Sequence, residues 1–242
     1  MYSAWTPTVS VVLISSLAGG SPAEPPAKPQ TIAMQASVTL EPLQRRLEDA
    51  ERGRVWSLTQ SGLVLNQSGS DKAQPVVLPD WVWVHPEFVG CLPDLALGPR
   101  GEVIVTSNVV PILWRVDGQS LAVTEHRLAL GDDHDKEVGF TGLVYAANQD
   151  AYFAVSAAHG SLWRIDGQLR KARKLMLSEP LRGACALRLQ SYEQRVTRLL
   201  GLCIRTANGA RNLVVSPDQR SAYLRSEPCV AAPAFADVAL AR

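Results

Sequence analysis

One seven-residue run occurs twice in this chain. Leu113-Trp114-Arg115-Val116-Asp117-Gly118-Gln119 returns 49 residues later as Leu162-Trp163-Arg164-Ile165-Asp166-Gly167-Gln168, with a single exchange of Val for Ile. Weaker copies stand upstream at Val55-Trp56-Ser57-Leu58-Thr59-Gln60 and downstream at Leu213-Val214-Val215-Ser216-Pro217-Asp218. A repeat of about fifty residues marks an array of supersecondary units, each burying its apolar faces against its neighbours. The flanking segments follow one plan. Asp94 to Val105, then Gly142 to Val155, then Ala186 to Ile204 each read as strand, tight turn, strand. β-Branched and aromatic runs alternate with Gly, Pro, Asn and Asp clusters, which is the pattern of short strands and turns. Each unit is thus expected to hold four antiparallel strands.

These units resemble the blades of β-propellers of the NHL, YncE and gluconolactonase-like type, over roughly residues 54 to 242. The resemblance implies an all-β chain, a small β-propeller of about four, or five, four-stranded antiparallel blades. The fifth would lie in Trp81 to Gly90. The first copy lacks two inner strands, and Ala236 to Ala241 looks like Asp94 to Leu97, so the C-terminus is expected to close the ring as the innermost strand of the first blade. An irregular β-sandwich with two similar hairpins is the alternative. Ahead of the propeller, residues 31–53 form an N-terminal segment with a short helix near Leu40 to Arg52, where Leu40, Leu43, Leu47 and Ala50 share a face.

Residues 1–30 differ in character. Val9 to Leu17 is an apolar run of signal-peptide length, too short to span a bilayer, and the proline-rich Pro22 to Pro29 follows as a linker. No Lys or Arg precedes the run. A periplasmic or secreted protein is expected. The net charge of +1, without a cationic cluster, gives no footprint for nucleic acid. No other segment is long enough for a membrane helix.

No C-x-x-C pair exists among Cys91, Cys185, Cys203 and Cys229. Cys185 and Cys203 are equidistant from a turn at Gln194, which suggests a cross-strand disulfide; Cys91 to Cys229 would then join blades that ring closure makes neighbours. Four buried thiols are the alternative.

Propellers of the resembled kind bind ligands over the central channel. Carried over, that layout gives a ligand-binding face of Trp83, His85, Asn108, Asp132, His134, Asp135, Glu137, His159, Asn208 and Arg211. The Gly131 to Glu137 run is the densest polar cluster, and Asp132, Asp135 and Glu137 are its candidate ligands for a divalent cation, without EF-hand spacing. His85, His134 and His159 are an alternative set for a transition metal. The Trp81-Val82-Trp83 alternation fits packing better than a ligand platform. No G-x-S-x-G elbow is present, and Asn108 and Asn208 lack the Glu and Asp partners of a gluconolactonase-like site. The expected function is therefore an exported, non-enzymatic propeller that binds a protein partner or small ligand on its loop face, as monomer or dimer, with no cofactor beyond that candidate cation. A metal-dependent hydrolase or lactonase is the alternative.

Overall fold

The computed structural model describes residues 42–70, 72–130, 138–190, 200–206, 209–226 and 229. All lie in one unit, Thr39–Arg242. Four sheets follow one another along the chain. The first holds β1 (Pro42–Asp49), β2 (Arg54–Thr59), β3 (Gly62–Gln67) and β4 (Gln74–Val77). After a one-turn helix α1 (Pro86–Val89), the second holds β5 (Leu95–Leu97), β6 (Val103–Thr106), β7 (Ile112–Val116) and β8 (Val123–Arg127). The third holds β9 (Gly142–Ala146), β10 (Ala151–Ser156), β11 (Ser161–Asp166) and β12 (Ala172–Lys174). The fourth holds β14 (Ala186–Gln190), β15 (Leu200–Thr206), β16 (Gly209–Val215) and β17 (Ser221–Arg225), with the two-residue β13 (Met176–Leu177) parallel to its outer edge. In each sheet four consecutive strands form an antiparallel meander, which is one blade, and β13 only extends the outer edge of the fourth.

Period-2 alternation explains why whole strands are buried. Along β6, Val103 and Val105 face a core shared with the first blade, built on Trp56, Leu58 and Trp114. Ile104, between them, faces a second core with Phe140, Leu143 and Trp163 of the third blade. Along β10, Tyr152 and Ala154 point to that second core, whereas Phe153 and Val155 point to a third core with Leu187, Leu202 and Leu213 of the fourth blade. A strand buried on both faces reads as a continuous apolar run. The repeated tryptophans Trp114 and Trp163 are fully buried, as their recurrence implies.

Three expectations change. The segment Pro42–Asp49 is a strand, followed by one 3-10 turn over Ala50–Arg52, where the leucine spacing suggested a helix. Its true period is carried by Arg45 and Asp49, both buried, with Arg46 and Glu48 exposed between them. Counting apolar residues alone missed inward-facing charges. Second, Trp56 lies on the second strand of its blade, not the third, so the first blade is complete with β1 as its innermost strand. The proposed closing strand, Ala236 to Ala241, lies outside the described residues. Third, Trp81 to Gly90 is the loop between the first and second blades, carrying α1, rather than a hidden fifth blade.

The disulfides are Cys91–Cys185 and Cys203–Cys229. All four cysteines are bridged, with partners exchanged from the expected ones. The register gives the reason: Cys203 pairs across the ladder with Arg188, while Cys185 lies one residue outside β14 and donates its N–H to Arg205. Equal distance from the turn does not place these two opposite each other.

Candidate functional site

The chain runs into each innermost strand at the same end of the molecule as the loop between the second and third strands of each blade. At three junctions the inbound segment docks on the preceding blade's loop. Trp83 Nε1 donates to Gln60 O (3.2 Å), Phe140 N to Ser107 O (2.6 Å), and Leu181 N to Gly160 O (2.7 Å). Close approach requires glycine at the second junction. A Cβ on Gly139 would stand 2.0 Å from the Asn108 carbonyl carbon.

At the axis, the four innermost strands converge on one carboxylate. Asp94 precedes β5 and is 1% exposed. Its Oδ2 accepts the N–H of Leu143 on β9 at 3.0 Å and stands 3.6 Å from Arg188 Nη1 on β14. Its Oδ1 is 3.7 Å from Arg45 Nε on β1. Arg45, 6% exposed, also donates to the carbonyls of Pro93 (3.4 Å) and Cys185 (2.7 Å). Burial pulls the Arg45 guanidinium below its ordinary pKa, and Asp94 pulls it back up. The Cys91–Cys185 disulfide joins the inbound segments of the second and fourth blades beside this cluster. An ion-paired, buried cluster thus ties the four innermost strands together at the axis. Sequence reading missed Asp94 as a hub, because opposite charges on separate inner strands mean nothing until the blades are in register.

The expected face residues divide into three groups. Trp83, His85 and Asn108 come together in and under the Trp81–Gly90 loop. Asn108 is buried, and its amide is fully engaged: Oδ1 accepts from Val84 N (3.0 Å), while Nδ2 donates to Val84 O (2.8 Å) and Cys91 O (3.0 Å). His85 Nδ1 accepts from Glu87 N at 3.5 Å and caps α1. Trp83 stacks on Trp81 with centroids 5.9 Å apart, and Trp81 Nε1 donates to Thr106 O (3.0 Å). His159 lines a groove of about 460 Å³ between the third and fourth blades, with Lys174, Met176 and Glu179. Arg211 forms a 2.6 Å ion pair with Glu179, a residue the sequence reading did not select. Asp132, His134, Asp135, Glu137 and Asn208 lie outside the described residues, and with them the candidate cation loop. His126, the remaining histidine, lies on the outermost strand β8.

Two large apolar side chains stay in solvent on the first of these groups: Phe88 is 75% exposed and Val82 47%. The segment bearing them is tied down by the Asn108 amide, two indole N–H groups and the Cys91 bridge.

Neither a protein-family model nor a curated protein sequence matches the chain. Among solved structures, virginiamycin B lyase from Staphylococcus aureus is similar at TM-score 0.53 and 16% identity, over 75% of this chain and 54% of that one. Hydrazine synthase from Kuenenia stuttgartiensis is similar at TM-score 0.53 and 11% identity, over 83% and 53%. The fold is a β-propeller. An auxiliary nutrient binding protein from Bacteroides thetaiotaomicron shares it at TM-score 0.52 and 12% identity, over 78% of this chain and 42% of that one. The propeller described here spans about half the length of these structures or less. Identities this low carry the architecture and not the chemistry.

Proposed function

We propose that this protein is an exported β-propeller that binds a protein partner through its loop face, centred on the Trp81–Gly90 segment. The observation that carries the reading is a loop tied down by side-chain hydrogen bonds and a disulfide that presents exposed apolar side chains, Phe88 above all. Exposed apolar clusters mark interaction surfaces, and aromatic anchors supply most of the energy of protein interfaces. A loop already fixed by side-chain hydrogen bonds and a disulfide loses little entropy on binding. His85 and Glu87, both exposed, give that surface a polar rim. Two disulfides suit an oxidising compartment, which supports export.

The test replaces Phe88 with a photo-crosslinking phenylalanine analogue in the native host, with the same analogue at the exposed Tyr223 as control. A specific adduct at position 88, absent at 223, identifies the partner. Purified, that partner should bind the wild-type chain at least about tenfold more tightly than Phe88→Asp, whose melting temperature is unchanged. Absence of a position-specific adduct, or equal affinity for Phe88→Asp, contradicts the reading.

A further inference from the structure

The repeat that defines the blades also exposes a difference between them. Arg115 and Arg164 occupy the same position in the seven-residue run. In the second blade, Arg115 Nη2 is 3.8 Å from Oε1 of Glu102, a buried carboxylate. The pairs Val103↔Val116 and Tyr152↔Ile165 are equivalent, so Ala151 stands in the third blade where Glu102 stands in the second. Arg164 therefore lacks the carboxylate that its counterpart has. Its Nε donates instead to the neutral side chain of Gln219, whose amide donates in turn to Gln149. No carboxylate lies within ion-pair distance of Arg164 among the described residues.

Arg164 opens into a groove of about 500 Å³, lined also by Gln149, Asp150, Asp166, Arg170 and Lys171. The groove lies at the opposite end of the strands from the 157–160 loop, since Ala151 pairs with Asp166 at one end of the β10–β11 hairpin and Ser156 with Ser161 at the other. Its two carboxylates are already engaged. Asp166 accepts the backbone N–H groups of Gln168 (2.9 Å), Arg170 (3.2 Å) and Lys171 (2.8 Å). Asp150 Oδ1 accepts the Tyr145 hydroxyl at 2.9 Å. Against these two carboxylates stand three cationic side chains, a net charge of +1 for the groove, one of them the half-buried guanidinium of Arg164. A planar guanidinium whose two terminal nitrogens make no hydrogen bond among the described residues matches an oxyanion, and partial burial strengthens the pairing.

We propose that this groove binds a small ligand bearing an oxyanion, carboxylate or phosphate, with Arg164 as the anchor and Arg170 and Lys171 as flanking charges. The ligand would supply from solution the group that Glu102 supplies to Arg115 within the second blade. The site is separate from the loop face, so its test does not depend on the protein-binding reading.

Calorimetric titration of the full chain with citrate and, separately, with inorganic phosphate decides the matter. Binding of either anion, weakened by added salt, is expected; citrate alone identifies a carboxylate ligand and phosphate alone a phosphate. Arg164→Gln should lower the affinity about tenfold or more. Arg170→Gln with Lys171→Gln, both at exposed positions, should lower it by a smaller factor with the wild-type circular dichroism spectrum retained. No heat from either anion up to about 10 mM, or equal affinity in Arg164→Gln, overturns the proposal.

Discussion

Replacing Asp94 with Ala removes a group that contacts all of the other three innermost strands. Two losses follow from the geometry. The Leu143 N–H, buried on β9, forfeits its 3.0 Å acceptor. Arg45, 6% exposed, keeps its charge but loses its nearest counter-charge, with Arg188 and Arg205 still repelling it. Breaking a buried pair by deleting one partner costs about 3–5 kcal/mol, because the remaining charge is left uncompensated. For a domain of this size that is a fall of about 6–20 °C in melting temperature, at 2–4 °C per kcal/mol. Asp94→Asn retains an acceptor for Leu143 and should lose about half as much. Thermal melts followed by circular dichroism, with disulfides intact, read both variants. A double-mutant cycle with Arg45→Ala isolates the pair and should give a coupling above about 1 kcal/mol. A fall of less than about 2 °C for Asp94→Ala, or zero coupling, would refute the idea that this carboxylate holds the axis together.

Gly139→Ala should destabilise the junction of the second and third blades by about 1–3 kcal/mol or more, since its Cβ would meet the Asn108–Val109 peptide; a melting temperature equal to wild type would contradict the docking geometry. His126 has a pKa below its ordinary 6.5 because burial disfavours the charged ring, with Asp166 offsetting part of the effect, and its Nε2 finds no hydrogen-bond partner among the described residues. Between that depressed value and 6.5 the unfolded chain binds more protons than the folded one, so stability falls as pH drops below about 6.5. Urea titrations at about pH 7.5 and 5.5 should show His126→Gln losing less stability than wild type on acidification; identical losses would remove His126 from the account.

The blades were legible in the sequence wherever the repeat was strong. The Trp114 and Trp163 copies mark third strands, β16 follows at the same spacing, and the turns between them fall at Gly, Asp and Asn. The first blade was misread because Trp56 resembles those tryptophans and yet sits one strand earlier. Its innermost strand was hidden by chemistry, since Arg45 and Asp49 face inward and hydrophobic patterning scores both as surface. Cysteine chemistry was legible and cysteine geometry was not, because pairing depends on strand register and on which blades face each other across the axis. The candidate face was assembled in part. Trp83, His85 and Asn108 do meet, but the hydrogen bonds that hold Asn108 to Val84 and Cys91 join residues far apart in sequence. No local pattern announces them.

The most direct test of the arrangement is non-reducing peptide mapping of the purified protein by mass spectrometry. Linked peptides containing Cys91 with Cys185 and Cys203 with Cys229 are expected, the first of them joining the second and fourth blades beside the Asp94 cluster. Linkage of Cys185 to Cys203, or of Cys91 to Cys229, would contradict that arrangement.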